Sequence, residues 1–200
     1  MGSGTREELL RTAERLYGER GLNGVALREI AREAGQRNVS AAQYHFGSRE
    51  GLIDAIFDRR MATLDQHRME LLDKLEANEG TGDLHAVVGC VVTPLVELLE
   101  QDTGATNYVR FLSEMILSPD HRVDDHIQGR FDHGMQRFYA LVEASLPDVS
   151  APVLKQRLLL LMHATVFSLA DIAAARDRAR PDREFDTERA VLNLIDMLVG

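Results

Sequence analysis

A chain of 200 residues, 44% hydrophobic and 28% charged, carries enough apolar mass to bury a sizeable core and is too apolar to be disordered. Its single cysteine, Cys90, excludes an intrachain disulfide and a cysteine-rich metal centre, and it suits a reducing compartment. A formal net charge of −9 argues against a nucleic-acid partner until it is divided along the chain.

Residues 1–60 hold ten arginines and nine acids, a net charge of +1, and the remaining 140 residues carry the other −10. A near-neutral end on an acidic body is the distribution of a nucleic-acid-contacting end joined to a separate module, although a merely solvated surface gives the same count. Met1-Gly2-Ser3-Gly4 leads into the charged Thr5-Arg6-Glu7-Glu8, which is not a secretory signal, and a cytoplasmic location is expected. The longest apolar run, Leu158 to Met162, is too short to span a membrane, so no membrane partner is expected. Five prolines, no tryptophan, and abundant leucine, alanine, arginine and glutamate favour an all-α fold.

Thr5-Arg6-Glu7-Glu8 reads as a capping box that opens a first helix. Leu9, Leu10, Ala13, Leu16 and Tyr17 form its buried face, and Gly21 ends it. A second, short helix places Leu27, Ile30, Ala31 and Ala34 on one side and stops at Gly35. Gln36-Arg37-Asn38 makes a polar turn, and a third helix begins at Ser40, with Asn38 as the competing cap. Val39, Ala42 and Phe46 point inward on this third helix. Ser40, Ala41 and Tyr44 therefore point outward, with Gln43 at the edge of that face.

This succession, a short helix, a glycine turn and a helix with a small polar outer face, is the layout of a helix-turn-helix spanning about residues 27–46. Small side chains at Ser40 and Ala41 let the backbone approach base edges. Gln43 and Asn38 have the chemistry to pair with adenine and Arg37 with guanine. Tyr44, His45 and Arg49 are of the types that hold phosphates, and Ser48 opens a helix whose free N–H groups suit a phosphate as well. The alternative on periodicity alone is a three-helix bundle whose polar face is only solvated.

Two stretches carry a family resemblance: Arg28-Glu29-Ile30-Ala31-x-x-Ala34-Gly35, and Tyr44-His45-Phe46-Gly47-Ser48-Arg49-Glu50-x-Leu52. Over about Leu9 to Leu52 the chain resembles the TetR family of bacterial transcriptional regulators. The resemblance implies that Tyr44, His45 and Arg49 hold the DNA backbone while residues 37–43 read the major groove, with Arg28 a further contact. Val25 stands where the family often has a phosphate-contacting threonine. The segment from Gly35 to Tyr44 is one residue longer than the commonest version and resembles the subgroup with Asn-x-Ser-Ala-x-x-Tyr-His-Phe, which leaves two registers for the base contacts. The implied organisation is a DNA-binding domain at 1–47 and an effector-binding and dimerisation domain at 48–200. The implied activity is a repressor that binds a palindromic operator as a homodimer.

The body reads as further helices, about nine in all. One runs from Ser48 to about Leu75 and one carries Leu84, Val87, Val88, Val91, Val92, Leu95, Val96 and Leu99. Another spans 106–117, and one capped by Ser118-Pro119 runs to Leu146-Pro147. A helix from Ser150-Ala151-Pro152 is apolar almost all round over 158–175, and a last one is capped by Asp186 or Thr187. In the resembling family the last two helices form a four-helix dimer interface, here about 151–178 and 186–199; the alternative is a central helix in a monomer. Pro94 inside the valine-rich helix favours a kink that opens a cavity. Met61, Phe111, Met115, Phe131, Met135, Phe138, Met162, His163 and Phe167 are the candidates to line it, and they suit a small lipophilic effector.

His121-Arg122-Val123-Asp124-Asp125-His126, with Asp132-His133 nearby, has the residue types of a metal site. No HExxH pattern is met, and aspartates at a helix start are favoured by its dipole, so a solvated acidic face is the expected reading and a metal-dependent enzyme the rival one. No cofactor is expected. A second rival keeps the DNA-binding end and makes the body a docking module for a protein partner.

Overall fold

Ten α-helices and one 3-10 turn follow one another along the chain, with no strand among the residues that the computed structural model describes, 2–38, 40–101, 104–178 and 187–199. The helices are α1 (Gly2–Arg20), α2 (Leu27–Glu33), α3 (Ala41–Phe46), α4 (Arg49–Ala77), α5 (Leu84–Gln101), α6 (Ala105–Leu117), α7 (Val123–Ile127), α8 (His133–Ser145), α9 (Ala151–Arg178) and α10 (Thr187–Val199). Val39, the Asp186 cap and most of the charged connector before α10 lie outside the described residues.

The boundaries correct two expectations. Helix α1 already runs from Gly2, so Thr5 and Glu8 lie inside it and the expected capping box caps nothing. A nucleated helix extends outward at little cost per residue, and Gly2-Ser3-Gly4 simply continue it. The single helix expected from Ser118-Pro119 to Leu146 is two. Ser118 is extended (φ −76°, ψ 126°), as the residue before a proline tends to be, and α7 starts only at Val123. Gly129 then takes the left-handed conformation (φ +71°) between α7 and α8.

The chain forms two compact units: Met1–Ala62 with Gly104–Gln128, and Thr63–Thr103 with Gly129–Gly200. Helix α4 contributes residues to both.

In the first unit Leu9, Leu10, Ala13, Leu16 and Tyr17 are fully buried, as the periodicity requires. The helix they line packs on α6 as well as on α2 and α3. Phe111 stands at the centre of an aromatic cluster, 5.6 Å from the ring of Phe57, 6.1 Å from Tyr108 and 6.2 Å from Tyr17. Burial of the Tyr17 phenol pushes its pKa up to about 12. Helices α1 and α6 approach so closely at Gly18 that a Cβ there would stand 2.9 Å from Arg110 Cβ and 3.0 Å from the Asn107 carbonyl oxygen. Because backbone would have to give way, Gly18→Ala is expected to cost about 1–3 kcal/mol of stability despite alanine's better helix propensity. Denaturant titration of the two proteins checks the sign.

Polar contacts tie α1 to α4. Glu14, 1% exposed, accepts from Arg60 Nε (3.0 Å) and Nη2 (2.8 Å) and from Arg59 Nη1 (2.8 Å). Arg59 Nη2 also meets Glu7 at 2.9 Å. His126 of α7 is stacked on Phe57 (centroids 5.2 Å apart, planes 8°) and lies 2.8 Å from Asp54 through Nδ1. Among the described residues no three His, Cys, Asp or Glu side chains converge as metal ligands.

In the second unit α5 packs on α8, α9 and α10 and continues through the buried Pro94. The buried Asp65 of α4 accepts the Gly134 N–H at the start of α8 (2.8 Å), a carboxylate placed where the helix dipole favours it. A Cβ on Gly134 would stand 2.8 Å from Arg68 Cβ, so glycine is what permits the approach. Further along, Arg137 bridges α8 to α4 through Asp73 (2.6 Å) and Glu76 (2.7 Å).

Hydrogen bonding from Arg137 holds the Glu76 carboxyl below its ordinary value of 4.5. A lowered folded-state pKa gives stability that is present above the unfolded value and is lost as pH falls through the lowered one. Arg137→Ala is therefore expected to lower the melting temperature slightly at neutral pH and not at all well below pH 4.5, which paired melts at two pH values check.

Helix α9 has a mean hydropathy of 1.8 over its most apolar 18-residue window, within 151–175, and is long enough by length and composition alone to cross a membrane. Only 39% of that window is buried. Leu154, Leu158, Leu169 and Ile172 are buried, whereas Val153, Leu159, Leu160 and Phe167 are exposed. Leu192 and Met197 of α10 are exposed as well.

Candidate nucleic-acid interface

Helix α3 is only six residues long, so its orientation depends on what it packs against. Ala42 is fully buried and Phe46 half-buried, with the guanidinium of Arg6 5.4 Å from the Phe46 ring centroid. The opposite face carries the exposed Ser40, Gln43 and Tyr44, with Ala41 partly exposed. Tyr44 is 85% exposed, extreme for an aromatic side chain, and among the described residues its ring meets the edge of His45 (5.3 Å, 78°). His45 is half-buried between Tyr44 and Phe46.

Before α3, Ser40 is the N-cap residue and makes no side-chain capping bond. Asn38 instead uses its Oδ1 to accept the Ser40 N–H (3.0 Å), while its carbonyl oxygen accepts from Ala41 (3.0 Å). That settles the competition between the two caps: Asn38 organises the turn and Ser40 keeps its hydroxyl outward. Arg37 and Asn38 are exposed. Arg28 is exposed at the start of α2 and lines a shallow recess of about 300 Å³ with Ala26, Glu29 and Arg32. Arg32, on the same face one turn later, was not among the expected contacts; its i, i+4 spacing from Arg28 is the signal that would have found it. Glu29 lies between Arg32 (3.9 Å) and Arg20 of α1 (2.6 Å), tying α2 to α1.

After α3, Gly47 turns the chain at φ +73° and Ser48 Oγ accepts the Gly51 N–H (3.0 Å), capping α4. Glu50, in that first turn, is held below the usual carboxylate range by hydrogen bonds from its own backbone and from Ser48. Arg49 is half-buried and turned inward: Nη1 donates to Asn23 Oδ1 and Nη2 to the Val25 carbonyl oxygen, each at 3.0 Å. The Val25 side chain is 1% exposed. Asn23 was missed at the level of sequence, since a lone polar residue in a turn gives no periodic signal.

The nine residues expected around an effector fall into two groups. Met61, Phe111 and Met115 are buried in the first unit, with Phe111 part of its aromatic core. In the second unit Met135 and Phe138 are buried, Phe131, Met162 and His163 half-buried, and Phe167 36% exposed. His163 and Phe167 meet edge-to-face at 6.5 Å.

The sequence model described as "Bacterial regulatory proteins, tetR family" matches residues 9–56, and the one described as "Tetracyclin repressor-like, C-terminal domain" matches residues 89–200. No curated protein sequence matches the chain. Among solved structures, HlyIIR, a hemolysin II transcriptional regulator, superposes with a TM-score of 0.62 at 18% identity, covering 100% of this chain and 99% of its own. A tetR-family regulator from Shewanella sp. PV-4 gives 0.65 at 14% identity, covering 97% and 95%. NalD of Pseudomonas aeruginosa, the secondary repressor of the MexAB-OprM multidrug efflux pump, gives 0.57 at 20% identity, covering 100% and 96%. The exposed α3 face, the all-α fold and matches to both the N- and C-terminal family models thus agree: the chain belongs to the TetR family of DNA-binding transcriptional regulators and is not an enzyme.

Proposed function

We propose that this protein is a cytoplasmic, homodimeric repressor that binds a palindromic operator through its two α3 helices and is released by a small, largely apolar effector. Residues 1–47 would bind DNA, and residues 48–200 would bind effector and dimerise. The observation that carries the DNA half is Tyr44, whose 85% exposure on the outer face of α3 has no folding rationale. Around it Ser40, Ala41 and Gln43 suit base edges, Arg37, Asn38 and Arg28 flank them, and His45 would face the DNA backbone, with Arg49 beside it turned inward onto Asn23 and Val25. The +1 charge of residues 1–60 against the acidic remainder favours approach of DNA by that end.

The exposed apolar residues of α9 and α10 support a dimer, and two recognition helices one helical turn apart suit a palindrome. The methionine and phenylalanine content of the body supports a lipophilic effector, which acts only through unequal affinity for the DNA-bound and released arrangements.

Selecting DNA from a randomised pool with the purified protein tests the reading, with Tyr44→Ala as the control. Tyr44→Ala should weaken binding to every sequence roughly tenfold, because a hydrogen bond to a charged phosphate is lost. The salt dependence should stay put, since tyrosine releases no counterion. The melting temperature should hold, since the ring is not packed. Wild-type affinity in this variant would count against the assignment. For the effector half, a panel of lipophilic compounds should include one that both raises the melting temperature and releases the selected DNA.

A further inference from the structure

We infer that Arg49 is a positioning residue: its guanidinium clasps the turn between α1 and α2 and so fixes the angle at which α3 is presented, rather than serving chiefly as a phosphate ligand. Its effect on affinity rests on the DNA-binding reading above; the clasp itself does not.

Both terminal nitrogens of the guanidinium donate inside the protein, Nη1 to Asn23 Oδ1 and Nη2 to the Val25 carbonyl oxygen, each at 3.0 Å. The Val25 carbonyl precedes the first turn of α2, and Arg49 supplies it with a donor in a part-buried bond. Asn23 is oriented from its other side, where Nδ2 reaches Asp120 Oδ2 at 3.5 Å, leaving its oxygen to Arg49. Two acceptors in one turn matched by two donors of one planar group is a geometry that arginine makes and lysine does not.

On its other flank the first turn of α4 is stitched to α3. The Ser48 N–H donates to the Phe46 carbonyl oxygen (2.8 Å), and a Cβ on Gly51 would overlap that same oxygen. The start of α4 therefore cannot shift without carrying the end of α3 with it. Arg49 fixes that start to the α1–α2 turn, and the angle of the recognition helix follows.

The test compares Arg49→Lys, Asn23→Ala and the double variant in the full-length protein. It reads affinity for a selected operator against salt, together with amide hydrogen exchange over residues 41–46 without DNA. Each single variant should weaken operator binding about tenfold with an unchanged salt slope. The double variant should be no weaker than either single one, because both break the same clasp. Exchange at 41–46 should accelerate alike in all three. Wild-type affinity in Arg49→Lys, with Arg49→Ala lowering the salt slope by about one, would make Arg49 a phosphate ligand and overturn the inference. Unchanged exchange in both single variants would overturn it as well. Absence of any DNA binding by the wild-type protein would remove the DNA reading alone, and the exchange data would still decide the clasp.

Discussion

Replacing Glu14 with alanine is expected to lower the melting temperature by roughly 6–20 °C, a large loss of stability for a single substitution. Glu14 is 1% exposed and is the common carboxylate of Arg60, 6% exposed at its side chain, and Arg59, 19% exposed. The Arg60 pair is bidentate, at 3.0 and 2.8 Å, and the Arg60 guanidinium also lies 5.6 Å from the Tyr108 ring centroid.

Removing one partner of a buried ion pair typically costs about 3–5 kcal/mol, because the remaining charge keeps its desolvation penalty without the attraction that offset it. At roughly 2–4 °C per kcal/mol for a chain of this size, that gives the stated shift. High salt should not rescue it, since a buried pair is poorly screened. Glu14→Leu combined with Arg60→Met should recover much of the loss, as apolar replacement of a whole buried pair often does. A Glu14→Ala melt within about 2 °C of wild type would mean that the network contributes little.

Leu160→Asp is expected to convert the dimer to monomer at micromolar concentration and to weaken operator binding by roughly a hundredfold. Val153, Leu160 and Phe167 recur every seven residues along α9, so they lie on one stripe, and they are 43%, 60% and 36% exposed. Leu192 and Met197 of α10 are 57% and 64% exposed. Contiguous apolar surface of this kind is costly to leave in water, and a carboxylate placed on it has no partner once covered. Losing the tether between two half-site contacts removes the effective-concentration gain, commonly 10²–10⁴ in affinity. The helix content should not change, because Leu160 is not a core residue of the protomer. Sedimentation and operator titration of one preparation check both halves, and a variant that remains dimeric places the interface elsewhere.

Much of the fold was legible because a buried helix face writes itself at a period of 3.6. The stripe of α1 and the inward Ala42 are where the pattern puts them. The outer face of α3 was legible for the same local reason: Ala42 must point in, so Ser40, Ala41 and Tyr44 must point out. Where apolar periodicity and turn chemistry disagreed, periodicity misled. Val123, Ile127, Phe131 and Met135 continue a helical stripe across Gly129, yet the left-handed glycine breaks it.

Polar partnerships left no trace of this kind. Arg60 meets a carboxylate 46 positions away and Arg49 an amide 26 positions away, and a lone charged residue does not announce its partner. Phe111 and Met115 were legible as apolar residues of one helical face, but that they are buried in the first unit where α6 packs on α1 at Gly18 is a tertiary fact.

The amino-acid sequence by itself determined that the protein is helical, that residues 27–46 form a helix-turn-helix, and that Tyr44 faces outward. These are properties of spacing within a few turns, and neighbours in sequence are enough to set them. Tertiary structure alone decided what holds that motif in place: the Glu14 carboxylate between two arginines, and Arg49 turned inward onto Asn23 and Val25 rather than outward with Tyr44. The inward turn gives the Val25 carbonyl, which lies before α2, a donor that sequence neighbours do not supply.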